Sequence, residues 1–300
     1  MKTIQTPKSI DYIFLILLST VWGSAFVGIE IALNGFNPFF VAFGRIAVAV
    51  LFLLSVVFIK KLSFPQNKNT WYILILLGFL NNALPFYLIS WGQQFITPST
   101  ASVMLAIGPL IALTLSHYIT HDEKFTMLKL VGVILGFLGV FILLGEDFFT
   151  GSKDSFYGKI AMLLAVLGYI SSGFLIRKIS YINTVVCSTS MFLTATIMMI
   201  PILFIVEIEN SFLDTKALIA IIYLAIIPTA LASLLRIKLV QKVGVQFMSQ
   251  VSYLIPMFAI FWSWLVFNEI ANSTVWIALV FILLGVFMRH LKIKRKIYDF

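Results

Sequence analysis

The sequence predicts an all-α polytopic membrane protein in which ten transmembrane helices form two inverted five-helix repeats. The chain is 61% hydrophobic and only 11% charged over 300 residues, whereas soluble domains have about 45–50% apolar and about 25% charged residues. Ten apolar runs are long enough to cross a bilayer, and the first half resembles the second at a spacing of 147 residues. A unit of five crossings ends on the opposite side of the membrane from its start, so its duplicate lies upside down.

The ten apolar runs each contain at least 17 residues, close to the roughly 20 that cross a hydrocarbon core about 30 Å thick. They cover residues 11–33, 37–59, 71–92, 98–119, 126–145, 158–177, 183–206, 216–238, 243–266 and 274–290. Membrane β-strands are shorter, about 10 residues, and alternate apolar with polar side chains. Because the connections are short, we divide the chain into a first repeat (1–145), an outer linker loop (146–156), a second repeat (157–290) and a basic cytoplasmic tail (291–300).

The duplication appears as matched residues in the two halves. The matches include Ser24 with Ser171, Gln94 with Gln241, Ser102 with Ser249, and Pro109 with Pro256. A proline inside a helix frees a carbonyl group and kinks the helix. Matched interruptions in two inverted halves are the sequence feature that points to a transporter's central site. We therefore expect Pro109 and Pro256 to act as hinges in a protein that opens one site to each side of the membrane in turn.

The basic residues are distributed unevenly among the predicted loops. With the N-terminus in the cytoplasm, the inner side collects seventeen of the 21 Lys and Arg residues, and the outer side holds Lys153, Lys159 and Lys216. This bias predicts a multi-pass protein of the cell membrane, plasma or inner, with both termini cytoplasmic. We expect the tail from Arg289 to Lys296 to contact anionic lipid head groups, and prefer this to nucleic-acid binding as the reading of the net charge of +9.

Polar side chains inside the apolar runs mark the candidate site, because such groups are costly in hydrocarbon and usually face the bundle interior. The ninth run carries Gln246, Ser249, Gln250 and Tyr253. Their spacing of i, i+3, i+4 and i+7 places them on one helical face. Ser102, the repeat mate of Ser249, lies on the corresponding face of the fourth run. These faces either line a cavity or join helices by hydrogen bonds.

Three more residues near the middle of the bilayer complete the candidate set. Asn82 either binds a substrate or satisfies backbone groups freed by Pro85. Trp22 and its repeat mate Tyr169 either stack on an apolar or cationic part of a substrate or pack between helices. The predicted substrate-binding residues are Trp22, Asn82, Ser102, Tyr169, Ser249, Gln250 and Tyr253.

Two charged residues near the outer end of the first two runs invite a separate interpretation. Arg45 lies well inside the second run, and Glu30 lies near the outer end of the first. Both are one to two turns from the connection at 34–37, so we predict an ion pair that holds these two spans together. The alternative is that Arg45 binds a substrate carboxylate, because a charge inside a membrane is a functional candidate by default.

Several short motifs carry a resemblance to a known family. They are Val21–Phe26, Phe43–Arg45, Ala101–Pro109, Asp122–Glu123 and Leu138–Val140 in the first copy, and Asn268–Glu269 and Leu284–Val286 in the second. Set in the duplicated ten-run frame, they resemble the drug/metabolite transporter superfamily, specifically its ten-span branch built from two EamA domains. One departure is that Asp122 and Asn268 stand where the family often has a glycine before each glutamate.

That resemblance covers nearly the whole chain and implies a mechanism. It implies cytoplasmic termini, a central cavity lined by spans one to four and six to nine, and peripheral spans five and ten. It also implies alternating access, with export or exchange of small metabolites, often amino acids. We therefore expect a secondary transporter that exports a neutral, zwitterionic or amphipathic metabolite.

Other functions remain as alternatives to that expectation. A nucleotide-sugar-type carrier of the same superfamily would need more basic groups facing the cavity than Arg45. A membrane-embedded enzyme or a pore is the alternative from another class. We find no Gly-x-Ser-x-Gly, His-Glu-x-x-His or Walker motif in the sequence, which are the usual signs of hydrolytic, metal or nucleotide chemistry. We therefore expect no catalysis.

The sequence also bears on whether the protein binds a metal ion, a cofactor or a second subunit. His117, His121 and His290 with the single Cys187 do not form a plausible metal-ligand set, so we expect no metal or cofactor. The fifth run carries Gly-x-x-x-Gly at Gly132, which permits close helix approach. This close approach can occur within the chain or in a homodimer.

Overall fold

Helices joined by short turns make up the described part of the chain in the computed structural model. It describes residues 5–119, 127–179, 181–206, 214–243, 245–248 and 250–290, and these ranges contain no strand. The α-helices are α1 (Ser9–Leu33), α2 (Pro38–Ile59), α3 (Lys68–Gly78), α4 (Leu84–Gly92), α5 (Pro98–Leu105), α6 (Gly108–Ile119), α7 (Met127–Thr150), α8 (Lys153–Ile176), α9 (Thr184–Met199), α10 (Thr215–Leu224), α11 (Ala232–Val243), α12 (Val245–Met248), α13 (Val251–Phe267) and α14 (Ser273–His290). Two π-helical segments, Phe79–Ala83 and Ala225–Leu231, join α3 to α4 and α10 to α11. Short 3₁₀ segments follow α8 and α9, at Arg177–Ile179 and Ile200–Phe204.

Eight helical stretches within these ranges have the length and composition to cross a membrane. They are Ser9–Leu33, Pro38–Ile59, Lys68–Gly92, Pro98–Leu115, Met127–Asp147, Lys153–Ile176, Thr184–Phe204 and Thr215–Arg236. Two further apolar helices, Val251–Phe267 and Ser273–Met288, are shorter. The predicted class of an all-helical polytopic membrane protein is therefore confirmed.

Helix starts follow local capping chemistry. The side chain of Asn37 accepts a hydrogen bond from the backbone N–H of Phe40 at 3.0 Å, and Pro38 stands in the first turn of α2. Asp214 caps α10 in the same way through the amides of Lys216 and Ala217. A helix leaves its first amide groups unpaired, so these side chains mark where the spans can begin.

Large apolar side chains cover the outside of the bundle. Phe204 is 87% exposed and Ile59 is 81% exposed. Water would penalise such a surface, whereas lipid tails solvate it without cost. The inward faces instead form a continuous buried cluster that draws residues from α1, α5, α10 and α13, so helices from both halves of the sequence share one core.

Close approach between the two halves depends on small residues. Gly23 of α1 lies so near α13 that an added Cβ would come within 2.9 Å of the backbone nitrogen of Ala259. Only glycine fits such a crossing without moving one of the helices. The pairing places the first helix of one half directly on the ninth apolar run of the other.

The Gly-x-x-x-Gly face of α7 packs inside the chain. A Cβ at Gly132 would collide with the backbone carbonyl of Gly285 in α14. Two turns further along, a Cβ at Gly139 would lie 2.8 Å from the carbonyl of Ala278. The small residues of α7 therefore seat α14, and α7 and α14 form a tight helix pair at one side of the bundle.

Asn268 ends α13 with left-handed backbone. Its φ is 53° and its ψ is 27°, a region that glycine and asparagine tolerate and other residues occupy at a cost. The sequence departs from the family's glycine at this position, and the geometry explains why asparagine can replace it. The reversal turns Glu269 back toward Ser263, whose hydroxyl donates a hydrogen bond to its carboxylate.

Substitutions at Asn268 test this helix end. Asn268→Gly should leave stability nearly unchanged, whereas Asn268→Val should lower the free energy of unfolding by about 1–2 kcal/mol, because a β-branched residue is strained in left-handed backbone. Thermal unfolding of the purified protein in detergent measures both changes. Asn69→Val is the control, because Asn69 is an exposed asparagine in the ordinary helical backbone of α3. Equal losses for the two valine variants would contradict the conformational explanation.

Candidate functional site

The two π-helical segments occupy matching places in the two halves of the chain. Phe79–Ala83 and Ala225–Leu231 overlap at the 147-residue spacing of the sequence repeat, and Asn82 matches Thr229. Each segment has a proline close by, Pro85 just after the first and Pro228 inside the second. A proline removes one donor and clashes with the carbonyl one turn earlier, and such widened turns are frequent at functional sites. These segments interrupt two long helices inside the bundle.

Arg45 reaches from α2 to the second of these segments. Its Nε donates a hydrogen bond to Oγ1 of Thr229 at 2.6 Å, and its guanidinium carbon lies 4.0 Å from the centre of the Phe86 ring. The residue is only 7% exposed. Arg45 thus joins the first half of the chain to the π segment of the second by a hydrogen bond, and it makes a cation–π contact with Phe86 of α4 within the first half.

The predicted ion pair between Glu30 and Arg45 is wrong. Among the described residues, the ion pairs are Lys159 with Glu146 and Asp147, and Lys242 with Asp11. The side chain of Arg45 points toward Thr229 in the second half of the chain. Its partner is therefore not set by how close Arg45 and Glu30 both lie to the connection at 34–37. Within the part of the chain that the structure describes, Arg45 has no acidic partner.

Trp22 satisfies a carbonyl of the same π segment. Its indole Nε1 donates to the backbone oxygen of Pro228 at 3.0 Å. Two residues beyond Trp22, α1 also contacts α10, since the hydroxyls of Ser24 and Tyr223 are 2.6 Å apart. Trp22 therefore donates its one hydrogen bond to the π segment that also accepts a hydrogen bond from Arg45, and its role in substrate binding stays a prediction.

A chain of polar groups occupies the first π segment. Ser172 of α8 donates to Oδ1 of Asn81 at 2.9 Å, and Nδ2 of Asn81 donates to Oδ1 of Asn82 at 3.1 Å. Asn82 is fully buried, and its Nδ2 has no hydrogen-bond acceptor. An unsatisfied buried donor costs about 1–3 kcal/mol. Asn82 thus keeps one donor available inside the bundle.

Tyr169 lies between two hydrophobic clusters of the bundle. It packs against both, one rich in residues of α1, α5 and α13 and one rich in residues of α2 and α9. Its phenol interacts electrostatically with the guanidinium groups of Arg45 and Arg236. Arg236 holds an exposed position on α11. Tyr169 therefore lies within electrostatic range of two guanidinium groups, one on α2 and one on α11.

The other predicted site residues lie elsewhere or are already engaged. Ser102 is 1% exposed and donates to the backbone oxygen of Ser99 at 2.8 Å within α5. The Tyr253 hydroxyl donates to the carbonyl of Val286 in α14 at 3.4 Å. Gln250 is half-buried just before α13, and Ser249 lies outside the described residues. Their roles in binding remain predictions.

The two predicted hinge prolines differ in setting. Pro109 stands in the first turn of α6, directly after the break at 106–107 that ends α5. Pro256 lies buried inside the continuous α13, and a turn at residue 250 precedes the helix. Both runs are interrupted within two turns before the proline, and the hinge role itself stays a prediction.

Sequence reasoning missed Thr229 and Tyr223, which contact Arg45 and Ser24. Pro85 and Pro228 were the available signal, but they stand one turn out of register in the repeat, since the mate of Pro228 is Asn81. Matching identical residues at one spacing therefore did not pair them. A search for prolines within one turn of each other in the two halves would have found both π segments.

The arrangement can bind a small anion next to an apolar surface. A buried guanidinium without an acidic partner among the described residues attracts a carboxylate and can hold it by two parallel hydrogen bonds. Phe86 supplies a ring face beside it, and the phenols of Tyr169 and Tyr223 lie within its electrostatic range. Asn82, at the matching place in the other π segment, has an Nδ2 without an acceptor among the described residues. In the described ranges, no group of three or more His, Cys, Asp or Glu residues has the geometry to hold a metal ion.

Comparisons with known proteins match this chain to membrane transporters. The model of the EamA-like transporter family matches twice, at residues 9–145 and 156–289. An uncharacterized transporter of Bacillus subtilis, YdfC, is 27% identical over 93% of this chain and 90% of its own length. A second one from the same organism, YoaV, is 20% identical over 94% of this chain and 97% of its own length.

Two further similarities support less, because one covers only part of the chain and the other concerns only the fold. An uncharacterized transporter of Buchnera aphidicola, encoded in the trpA 3' region, is 30% identical, and this match covers about half of each protein, 54% of this chain and 53% of the other. One solved crystal structure superposes on 96% of this chain and 100% of its own with a TM-score of 0.69 at 15% identity. That structural likeness concerns the fold alone.

Replacing Trp22 tests the link to the π segment. Trp22→Phe keeps an aromatic ring but removes the donor to the Pro228 carbonyl, so it should destabilise the protein by about 0.5–1.5 kcal/mol and speed amide hydrogen exchange at residues 225–231. Exchange measured by mass spectrometry locates the effect. Trp264→Phe is the matched control, because Trp264 is 53% exposed on the outside of the bundle. Unchanged exchange in the segment for Trp22→Phe would contradict the assigned role.

Proposed function

Because the chain belongs to the EamA-like transporter family, we propose that it carries a small metabolite with a carboxylate group, of the amino-acid class, across the cell membrane by alternating access. Polytopic transporters of this kind bind their substrate between two halves of a helical bundle. The proposal concerns the substrate class, the site and the mechanism, and each has its own support.

The unpaired charge of Arg45 carries the substrate assignment. A cation inside the apolar part of a bundle is costly unless it is paired or faces a hydrated cavity. Arg45 is 7% exposed, and its bond to Thr229 uses only Nε. The two terminal nitrogens of the guanidinium stay available for a ligand, in the fork geometry that matches a carboxylate.

Aromatic residues around Arg45 support a substrate with an apolar or aromatic portion. Phe86 lies under the guanidinium, and Tyr169 and Tyr223 interact with it electrostatically. Rings of this kind stack on flat or apolar groups. An amino acid offers both a carboxylate for Arg45 and a side chain for these rings.

We propose a layout of two inverted five-helix repeats around this site. The two separate family matches and the two π segments at corresponding places support it. The basic residues of the predicted inner loops support cytoplasmic termini. Export is the direction that the family resemblance favours.

A nucleotide-sugar-type carrier is the second candidate. It requires more than one basic group near the site, and Arg236 is the candidate for the second because its guanidinium interacts electrostatically with Tyr169, as that of Arg45 does. Two cations would suit a phosphate or diphosphate better than a single carboxylate. Inhibition by uridine monophosphate would favour this candidate over the amino-acid class.

Counterflow in liposomes tests the proposed substrate class. Purified protein is reconstituted, and uptake of radiolabelled L-phenylalanine is measured into vesicles loaded with the unlabelled compound. Amino acids, nucleosides, polyamines and lipophilic cations are then added as competitors. We expect saturable uptake that carboxylate-bearing compounds inhibit and phenethylamine, which lacks the carboxylate, does not.

Arg45→Gln should raise the apparent KM for L-phenylalanine by about tenfold to a hundredfold. The reason is the loss of a charge-assisted hydrogen bond, worth about 1.5–3 kcal/mol. Lys153→Gln is the matched control because Lys153 is exposed at the start of α8. An unchanged KM in Arg45→Gln, together with normal folding by thermal unfolding, would refute the carboxylate anchor.

A closed end of the bundle supports alternating access. Asp11 of α1 is fully buried, and its Oδ1 accepts a hydrogen bond from Nζ of Lys242 at the end of α11, at 2.6 Å. The backbone N–H of Gln5 donates to the Lys242 carbonyl at 3.0 Å. Leu15, Leu18 and their neighbours form a hydrophobic cluster with α11, α12 and α13 at the same end. We assign this contact to a gate on the inner side.

Breaking the contact should open that end more often. Spin labels at positions 10 and 238, in a Cys187→Ser background, should show a longer distance component in Asp11→Asn. Ile10 and Lys238 are both exposed, so labels fit there. Lys242→Gln should act in the same way, and the double variant should add little, because both changes remove one interaction. Asp154→Asn, at an exposed position, serves as the control, and identical distances in all variants would count against the gate.

A further inference from the structure

A second polar group lies at the opposite end of α1 from Asp11. It contains Glu30 near the end of α1, Gln93 after α4, and Ser263 with Glu269 at the end of α13. The hydroxyl of Ser263 donates to Glu269. Glu269 acts electrostatically on Glu30. Two carboxylates of like charge therefore share one region between the two halves of the chain.

Two buried acceptor atoms of this group lack a donor. They are Oε2 of Glu30 and Oε1 of Gln93. Gln93 is only 2% exposed and lies beside the Glu30 carboxylate. Its amide nitrogen is engaged, because it donates to the backbone carbonyl of Phe26 at 2.9 Å. Leaving a buried acceptor unpaired costs about 1–3 kcal/mol, and more when the group is charged.

One proton relieves all three costs at once. A proton on Oε2 of Glu30 converts an acceptor without a partner into a donor, and Oε1 of Gln93 is a buried acceptor in the same group that could receive its hydrogen bond. It also removes the repulsion between Glu30 and Glu269. Like-charged carboxylates in one site favour such sharing of a proton.

We propose that Glu30 is a proton-binding site that couples substrate movement to a proton gradient. This inference rests on the proposed transport function. In the state described here, Glu30 is held between Gln93 and Glu269 and carries the proton as a neutral carboxylic acid. Separation of α1 from α13 hydrates Glu30, and the proton leaves Oε2 to water, which gives a carboxylate and a hydronium ion.

A proton fits this group better than a metal cation. Hard divalent cations take six or more oxygen ligands. The group offers the oxygens of Glu30, Oε1 of Gln93 and the carboxylate of Glu269, part of which is already engaged by Ser263. These are too few atoms to enclose such an ion.

The surroundings of Glu30 limit which groups can share its titration. Among the charged side chains of the described ranges, Glu269 is the one that acts on Glu30. Asp214 lies against Gly35 beyond the end of α1, and its carboxylate already accepts from two backbone amides. Arg45 of α2 is bound to Thr229, and the Asp11–Lys242 pair lies at the other end of α1.

Infrared spectroscopy of the purified protein in liposomes tests proton binding without a substrate. A neutral carboxylic acid has a C=O absorption that is lost on ionisation. We expect the wild-type protein to show a band of this kind that disappears as the pH is raised, and we expect Glu30→Gln to lack it. Glu269→Gln should move its midpoint, because the neighbouring charge is gone, and Asp154→Asn, at an exposed position of α8, should leave it in place. A wild-type spectrum without a titrating band, or a band that persists in Glu30→Gln, overturns the proposal.

A transport measurement separates coupling from transport itself. L-Phenylalanine counterflow at equal pH on both sides needs no net proton movement, so Glu30→Gln should retain it. Accumulation of L-phenylalanine driven by a pH gradient should occur in the wild type and be lost in Glu30→Gln. Normal counterflow with no response to the pH gradient overturns this inference alone, as does accumulation driven by a sodium gradient. Absence of counterflow in the wild type contradicts the proposed function, and the infrared result then still decides whether Glu30 binds a proton.

Discussion

A guanidinium that lies in the apolar bundle without an acidic partner among the described residues is the constraint on which the rest of this structure depends. Hydrocarbon does not solvate a cation, so Arg45 must be held by whatever polar and aromatic groups the fold can bring to it. It donates a hydrogen bond to Thr229 in the second half of the chain and lies over the ring of Phe86 in the first. The need to accommodate one charge therefore joins α2 to the π segment between α10 and α11. The same contact leaves the terminal nitrogens of the guanidinium without a partner, and binding of a carboxylate would relieve the cost.

The two π segments make such a site possible. A regular helix satisfies all of its backbone groups internally and offers a ligand nothing but side chains. Widening one turn near a proline frees carbonyl and amide groups, which must then find partners inside the bundle. Trp22 takes the Pro228 carbonyl, and the Asn81–Asn82 pair extends the polar chain from Ser172. Because the widened turns lie at corresponding places in both halves, they bring polar groups of the two halves to one level of the bundle.

The two ends of α1 differ in the polar groups that they hold. One end is closed by an ion pair and an apolar cluster, where Asp11 meets Lys242. The other holds Glu30 among acceptors that lack a donor. Between them, Gly23 allows α1 to lie directly against α13. Helix α1 therefore touches the second half of the chain along its length. It has an ion pair that can break at one end and a carboxylate that can become hydrated at the other. Such a helix is suited to couple changes at its two ends to the central site.

The sequence by itself determined the class of the protein, an all-helical polytopic membrane protein. Composition, run length and repeat spacing are local properties, and the bilayer imposes so strict a requirement on them that no tertiary information is needed. The left-handed backbone of Asn268 at the end of α13 was not predicted from the sequence. The chemistry of the site could be predicted only in part: Trp22, Asn82, Tyr169 and Arg45 were found as polar or aromatic residues at mid-span depth. Their partners were decided by the tertiary structure, because the direction in which a side chain leaves its helix depends on helix rotation and packing. Arg45 is closer in sequence to Glu30 than to Thr229, yet it bonds to Thr229, 184 residues away, since α2 turns that face toward the second half.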